Sequence, residues 1–233
     1  MILGLPECKE ALVLAPHPDD EALGCGGTIA LLKEKGVSST VAFLTDGESL
    51  NGAPSLEIAA VRREEGRKCS GMLGCREPVF IGLPDGEVGS HIDEGVIRLS
   101  AVIELKKPDL VFSPSPLDYH QDHLATAKIA MRLMKESGTF RLAFYEVYST
   151  VRFTHLVDIS EVVENKKEAI LNYRTSLYGR PGQYVRASLG LNAHRSIFVQ
   201  DEGYYEAFHI VEINNGLARL QDYSSYDDCF IVR

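Results

Sequence analysis

An apolar run ends abruptly in a histidine and three acidic residues in the stretch Val13-Leu14-Ala15-Pro16-His17-Pro18-Asp19-Asp20-Glu21-Ala22-Leu23-Gly24-Cys25-Gly26-Gly27. The apolar pattern over 11–15 predicts a buried strand, and the pattern over 22–35 predicts a helix. We therefore expect His17, Asp19 and Asp20 on the turn between them. In parallel α/β sheets, turns at this end of a strand hold ligands.

The composition of this turn favours a metal site. Pro16 and Pro18 restrict the backbone around His17, and a metal needs ligands that are ordered before it binds. Asp19 and Asp20 are adjacent, so their side chains diverge, and one can bind a metal while the other handles a proton. The alternative is that the acids cap the following helix, where negative charge stabilises by roughly 0.3–1 kcal/mol. A single acid would be enough for that.

A second polar cluster is Pro114-Ser115-Pro116-Leu117-Asp118-Tyr119-His120-Gln121-Asp122-His123, between an apolar run at 110–112 and a helical pattern from 124. Both clusters should emerge at the carboxyl edge of one parallel sheet, so His120 and His123 are expected to face the first cluster. A His-x-x-His pair alone fits a surface or capping role as well as it fits a ligand role. Asp122 either orients an imidazole from outside the ligand set or caps the helix.

Alternating apolar and helical patterns predict an α/β fold: a single Rossmann-like domain, 1–233, whose mostly parallel sheet is flanked by helices. Strands are predicted at 11–15, 39–45, 79–81, 110–112 and 142–147, and helices at 22–35, 56–73, 96–106 and 124–135. Residues 150–210 are interpreted as a C-terminal cap with a helix near 160–173, a Gly-, Arg- and Tyr-rich passage at 178–193, and a further segment at 197–208. The polar tail at 222–228 is expected to be mobile.

Composition limits the class of protein. The chain has 233 residues, a net charge of −9 and 45% hydrophobic residues, which suits one α/β domain. It has no apolar stretch near the roughly 20 residues that span a bilayer, and residues 1–5 lack signal-peptide features, so we expect a cytoplasmic protein. Acidic charge without basic runs disfavours nucleic acid as a partner. The five cysteines lack CxxC spacing, which argues against a disulfide framework or a Cys-zinc site.

Weaker candidates lie near the predicted second strand and helix. Asp46 and Glu48 fit a hydrogen bond to a substrate hydroxyl and a loop-capping role equally well. Arg62 belongs to the run Arg62-Arg63-Glu64-Glu65, which composition alone predicts to be a solvated helix face.

The two clusters resemble the signatures of the PIG-L/LmbE family of zinc-dependent de-N-acetylases, His-Pro-Asp-Asp-Glu after a strand and His-x-Asp-His. The resemblance extends to Thr45-Asp46-Gly47-Glu48, Arg62, Glu65, Gly82-Leu83-Pro84-Asp85-Gly86, the segment 166–173 and Tyr205-Glu206-Ala207-Phe208. Two departures bear on the substrate subgroup. Gln121 replaces a proline of the family signature, and Arg174-Thr175-Ser176 stands where the family often has serine followed by glutamine.

The resemblance implies a role for each residue of the site. His17, Asp20 and His123 would be metal ligands, Asp19 the general base, and His120 the acid or the group that stabilises the oxyanion. Two imidazoles and one carboxylate leave an open position for water, as catalytic Zn²⁺ sites require. Fe²⁺ or another divalent metal is also compatible with this set.

The implied activity is release of acetate from a small-molecule N-acetylglucosamine-type sugar conjugate. Arg62 would then contact the substrate, and the chain would form a homo-oligomer, as relatives often do. Deacylation of a non-sugar amide, or of an antibiotic or nucleoside intermediate, stays open as an alternative.

Two other functions are less favoured. Gly24, Gly26 and Gly27 after a strand, with Asp46 about 20 residues beyond, suggest dinucleotide binding, but the intervening carboxylates would repel phosphate. Two histidines and one carboxylate also form the facial set of non-haem Fe(II) oxygenases. The spare Asp19 and the α/β pattern argue against that class.

Overall fold

The computed structural model describes residues 1–211, 213–214 and 217–218. In chain order the elements are β1 (Ile2–Leu3), β2 (Glu10–Ala15), α1 (Asp20–Glu34), β3 (Ser38–Phe43), α2 (Leu56–Leu73), β4 (Val79–Phe80), α3 (Ile92–Lys106), β5 (Leu110–Pro114), α4 (Gln121–Ser137), β6 (Arg141–Tyr145), β7 (His155–Asp158), α5 (Val163–Asn172), α6 (Pro181–Arg195), β8 (Tyr205–Val211), β9 (Ile213–Asn214) and β10 (Leu217–Ala218). Short 3₁₀ turns lie at Val88–Ser90, Ser160–Val162 and Ser196–Phe198.

An eight-stranded sheet has the order β1-β7-β8-β6-β5-β2-β3-β4. The strands β4, β3, β2, β5 and β6 are mutually parallel, and β8 runs antiparallel to β6 and β7. The chain progresses outward from β2 in one direction to β4 and in the other to β6. The gap between β2 and β5 is therefore the switch point, where open α/β sheets bind ligands. The predicted α/β fold class is confirmed.

Both faces of the central strands are buried, as in parallel sheets covered by helices on two sides. Leu12 and Leu14 of β2 pack into the core beneath α3 and α4. Val13 and Ala15 point the other way, into the core shared with α1, α2, α5 and α6. The alternation of strand side chains thus places two helical layers around one sheet.

Residues 150–210 both extend the sheet and cover it. Strands β7 and β8 join its edge, with β8 inserted between β6 and β7, and α5 and α6 pack on the face that α1 covers. The helix expected near 160–173 is α5, preceded by a 3₁₀ turn. Most of α6 lies in the passage at 178–193, for which the sequence indicated no helix. The predicted mobile tail at 222–228 lies outside the described residues.

Helices α1 and α4 begin earlier than predicted, at Asp20 and Gln121 rather than 22 and 124. Asp20 is therefore the first residue of a helix and not part of the turn, which corrects the prediction. The same shift places His123 in the first turn of α4. The apolar period begins only after these polar first turns, so periodicity could not mark the true starts.

A kink interrupts α1 at Cys25, whose φ and ψ are −141° and 20°. The carboxylate of Glu206 on β8 accepts hydrogen bonds there from the backbone N–H groups of Gly27, at 2.9 Å, and Thr28, at 2.7 Å. The Lys166 ammonium from α5 donates to the same carboxylate at 2.7 Å, and both charged side chains are fully buried. This ion pair therefore stabilises a break in the helix that follows the first polar cluster.

Close packing explains two of the three glycines of α1, Gly24 and Gly27. A Cβ at Gly24 would lie 2.2 Å from the Tyr145 ring, and one at Gly27 would lie 2.7 Å from Ile159. These glycines serve helix–sheet contact, so they do not require a bound pyrophosphate. Gly24 and Gly27 therefore no longer support the dinucleotide-binding alternative.

The sequence argued against a membrane span and against a disulfide framework or Cys-zinc site, and both points can be compared with the described residues. Within them, no helix has both the length and the apolar character needed to cross a bilayer. Cys8, Cys25, Cys69 and Cys75 are free thiols, and burial raises the pKa of each. Thiols that stay protonated are poor metal ligands and nucleophiles.

Candidate metal centre

The carboxyl ends of β2 and β5 bring His17, Asp20 and His123 together, as the sequence predicted. Nδ1 of His17 lies 3.2 Å from one carboxylate oxygen of Asp20, and Nε2 of His123 lies 3.3 Å from the other. The imidazole centroids are 5.6 Å apart. All three side chains are buried, and the Asp20 carboxylate lies between the two rings.

These residues fit a divalent metal because several of their buried polar atoms lack partners. Within the described part of the chain, Oδ1 of Asp20 and both ring nitrogens of His123 have no well-aligned hydrogen bond. Burying such atoms unpaired is unfavourable, and a cation would satisfy them. Two imidazoles and one carboxylate are also a donor set that suits Zn²⁺.

Two carboxylates hold the far nitrogen of His17. Asp122 Oδ2 and Asp85 Oδ1 each lie 3.1 Å from His17 Nε2. Asp122 also accepts hydrogen bonds from the backbone N–H groups of Gly86, at 2.8 Å, and Val88, at 3.2 Å. In the neutral ring that a metal ligand requires, the proton of His17 is thereby favoured on Nε2, and Nδ1 is the nitrogen that faces Asp20.

Asp118 makes the corresponding contact with His123, and sequence reasoning missed it. Its Oδ1 lies 3.2 Å from His123 Nδ1 and accepts the His120 backbone N–H at 2.9 Å. Its other oxygen accepts the backbone N–H of Tyr148 at 3.1 Å, and the Tyr148 ring stacks on His123. Asp85 was likewise assigned no role. Both acids lie within motifs quoted above, and this membership was the signal that could have drawn attention to them.

The charges of the site are strongly coupled. Burial alone would raise the pKa of Asp20, but pairing with His123 and His17 holds it well below its usual range. Burial alone would lower the pKa of both histidines. Carboxylate contacts outweigh burial, raising the pKa of His123 to about 9 and that of His17 well above its ordinary value. The negative field that produces these shifts would equally favour a metal cation.

Asp19 occupies the N-cap position of α1 with φ 141° and ψ −28°, a conformation that L residues rarely adopt. Its backbone N–H donates to Glu21 Oε2 at 3.2 Å, and its side chain lines a cavity beside His17. Burial, and then the charge of Asp20, raise the pKa of Asp19 to about 8, while Arg62 opposes the change. An acid that titrates near neutrality can both accept and return a proton.

His120 lies at the start of α4, with its ring 4.8 Å from that of His17. Its Nδ1 accepts the backbone N–H of Asp122 at 3.2 Å, so the neutral ring carries its proton on Nε2. Burial, followed by the charges of His17 and His123, lowers the pKa of His120.

Arg62 is buried, so the prediction of a solvated helix face was wrong for this residue. Its guanidinium donates to Ser176 Oγ at 2.9 Å, Gly47 O at 2.9 Å and Pro18 O at 3.1 Å. It also lies 3.7 Å from the carboxylate of Asp19. Arg62 thus joins three loops around the site, and its contact with substrate stays a prediction.

Asp46 and Glu48 connect loops near the site. Asp46 accepts a hydrogen bond from Arg63 Nε at 2.9 Å, and Glu48 accepts one from the backbone N–H of Asp85 at 2.9 Å. Neither side chain is among the described residues that line the cavity. The contacts of Asp46 and Glu48 therefore support the loop-capping alternative. Contact of these two side chains with substrate stays a prediction.

The cavity beside the cluster has a volume of about 260 Å³. His17, Asp19 and His120 line its floor, and Ser49, Tyr148, Tyr178 and Tyr184 are among its walls. A monosaccharide-sized group can enter a space of this order.

The family comparison agrees with this geometry. Residues 12–134, just over half of the chain, match the family model described as PIG-L: GlcNAc-PI de-N-acetylase. The chain belongs to the PIG-L family. This match confirms the resemblance stated from the two clusters and contains both of them.

Relatives of this PIG-L protein include deacetylases. It is 28% identical to the diacetylchitobiose deacetylase of Thermococcus kodakarensis over 72% of this chain and 70% of that one. It is 27% identical to a probable N-acetyl-alpha-D-glucosaminyl L-malate deacetylase 2 of Bacillus cereus, over 91% and 93% of the two chains. The structure of the N,N'-diacetylchitobiose deacetylase of Pyrococcus horikoshii is similar with a TM-score of 0.74, 25% identity, and coverage of 88% and 84%.

Proposed function

We propose that this PIG-L protein is a Zn²⁺-dependent hydrolase that removes the acetyl group from an N-acetylglucosamine-type sugar conjugate. The observation that carries the proposal is the arrangement of His17, Asp20 and His123 around unpartnered buried atoms, with the Asp19 carboxylate beside them in a cavity. The family match and the acetylated sugars named for its relatives support the substrate class.

The metal would be held by one imidazole nitrogen each from His17 and His123 and by the carboxylate of Asp20. Bound there, Zn²⁺ would supply a Lewis acid that polarises an amide carbonyl and makes water more acidic. Asp122, Asp85 and Asp118 fix the two rings from behind, which keeps their ligand nitrogens directed at Asp20.

Asp19 would act as the base. Its carboxylate would accept a proton from the attacking water and deliver it to the departing amine, because it lines the cavity beside the candidate ligands. Arg62 and Glu21 hold this residue through its side chain and its backbone N–H. The strained backbone at Asp19 is consistent with a functional constraint.

Of the two roles that the resemblance left for His120, the geometry favours oxyanion stabilisation. Nδ1 is occupied by the Asp122 N–H, so Nε2 of the neutral ring is a hydrogen-bond donor. A fixed donor aimed at the oxygen that becomes negative lowers the barrier of amide hydrolysis.

Acetate release tests the proposal. Zn²⁺-loaded protein is incubated with diacetylchitobiose, N-acetylglucosaminyl malate, N-acetylglucosaminyl inositol and, as a non-sugar amide, an N-acetylated amino acid. We expect acetate from at least one sugar conjugate, and release slower by roughly 10²–10⁴-fold with the Asp19→Asn variant. Release from the amino acid alone would favour the non-sugar alternative, and no release by metal-loaded protein would contradict the proposal.

A further inference from the structure

A second cavity of about 260 Å³ adjoins the first, and Tyr148 and Tyr184 line both. We call it the arm pocket, and its apolar wall consists of Leu23, Val147, Ala187, Leu191 and Ala207. The wall residues come from α1, the segment after β6, α6 and β8. Since the Tyr148 ring stacks on His123, the boundary between the cavities lies directly beside the candidate metal ligands.

Two polar side chains of the arm pocket, those of Glu146 and Ser188, already have partners. Glu146 accepts hydrogen bonds from Arg195 Nε at 3.2 Å and from the backbone N–H of Val151 at 2.7 Å. Ser188 Oγ donates to the backbone oxygen of Leu23 at 3.0 Å. The Glu146 carboxylate is paired with Arg195 and the Ser188 hydroxyl proton is used, so a ligand meets the apolar wall without competing for these two groups.

Asn192 presents a buried acceptor to the arm pocket. The residue is only 5% exposed, and its amide nitrogen donates to the backbone oxygen of Tyr205 at 3.1 Å. Its Oδ1 has no hydrogen-bond partner among the described residues. A buried acceptor without a partner is unfavourable. A ligand donor that hydrogen-bonds to it would therefore gain more binding free energy than a donor that bonds to an acceptor exposed to water.

We propose that the arm pocket binds an apolar group of the amide substrate, and that a hydroxyl or N–H on this group donates to Asn192 Oδ1. The inference rests on the proposed function and narrows its substrate class. An N-acylated sugar can carry such a group in two places, on the aglycone or in a longer acyl chain. The aglycone and the acyl chain would present the same apolar chemistry. The arm pocket can accept either one if the sugar binds in the first cavity with the end that carries the apolar group toward Tyr148.

Two substrate series distinguish these sources. One consists of methyl, butyl and octyl β-glycosides of N-acetylglucosamine, and the other of N-acetyl-, N-butyryl- and N-octanoylglucosamine. We expect kcat/KM to rise along one series by roughly 10- to 100-fold, because apolar burial adds binding with chain length. A substrate with a 4-hydroxybutyl arm should have a higher kcat/KM than one with a butyl arm, because its hydroxyl group would donate a hydrogen bond to Asn192 Oδ1. No rise in either series would overturn the proposal.

Two alanines of α6 provide matched variants. Both alanines are exposed on the same helix, but Ala187 lines the arm pocket and Ala193 does not. In whichever series rises, Ala187→Trp should bring the ratio of kcat/KM between the longest and the shortest substrate down to about 1, and Ala193→Trp should preserve the wild-type ratio. Equal ratios in both variants would contradict the assignment.

Binding separates this inference from the proposed function. Octyl β-glucoside has the arm but no acetamide, so its calorimetric binding does not depend on hydrolysis. If no amide is hydrolysed, the proposed function fails, yet binding by wild type and Ala193→Trp but not by Ala187→Trp would still support an apolar-arm site. Equal binding by all three proteins, or by none, would overturn it.

Discussion

Asp122 Oδ2 lies 3.1 Å from Nε2 of His17, although the two residues are 105 positions apart. The same carboxylate holds the backbone of Gly86 and Val88. One acid therefore fixes an imidazole from the first polar cluster, a loop after β4 and the first turn of α4. The orientation of His17 depends on contacts that no single segment of the chain provides.

Asp122→Asn should weaken this support while preserving side-chain size. We expect metal affinity to fall by roughly 10- to 100-fold, the usual effect of removing a partner behind a histidine ligand. Competition with a chelator would measure it, and Asp93→Asn, which alters an exposed ion pair with Arg132, is the control. Equal affinity in both variants would show that Asp122 does not act through His17.

His17→Ala and His123→Ala should each lose bound metal and activity together, because one ligand of three is removed. Elemental analysis after dialysis would measure occupancy, and circular dichroism would show whether the fold persists. His91→Ala is the control, since His91 is half-buried and pairs with Glu94 at 3.0 Å. Full occupancy in both test variants would rule out the ligand assignment.

Asp19→Asn should retain metal but lower kcat by roughly 10²–10⁴-fold, the usual contribution of a positioned base. The amide keeps the size of the side chain and cannot take the proton. Steady-state kinetics combined with elemental analysis would separate this effect from ligand loss. Near wild-type kcat would mean that another group accepts the proton.

Arg62→Lys should lower both kcat and the melting temperature, because an ammonium cannot replace guanidinium contacts to three loops. Its neighbour Arg63 is partly exposed and pairs with Asp46, so Arg63→Lys should change both quantities little. Kinetics and thermal denaturation would be measured for both. A rise in KM alone for Arg62→Lys would instead favour direct contact with substrate.

Lys166→Met should destabilise the fold by about 3–5 kcal/mol, since it leaves the Glu206 carboxylate buried without its counter-charge. Adding Glu206→Gln should restore part of this loss. Lys167→Met, which affects an exposed pair with Glu164, is the neighbouring control. Urea denaturation would compare the four proteins, and equal stability of the two lysine variants would contradict the prediction.

Sequence patterns predicted the parallel half of the sheet because strands buried on both faces are continuous apolar runs bounded by turns. They also placed His17 and His123 near each other, since β2 and β5 end in polar clusters at one sheet edge. The pairing of Asp118 with His123 was not predictable, because short-range spacing does not reveal which acid faces which ring.

The C-terminal part was harder to predict for physical reasons. Helix α6 contains Gly182 and Gly190 and a mixed polar surface, so it lacks a clear apolar period. Its stability depends on packing against α5 and β8. The burial of Arg62 was hidden for a similar reason, because its partners Gly47 and Pro18 come from loops distant in sequence.

The position of β8 has a consequence for synthesis of the chain. Since β8 separates β6 from β7, and β1 pairs only with β7 among the described strands, both outer strands can join the sheet only after residues 205–211 exist. A ribosome-bound chain that ends before them would expose the edge of β6. Final assembly is thus a late event, and that free edge is a site for a chaperone or for mispairing with a neighbouring nascent chain.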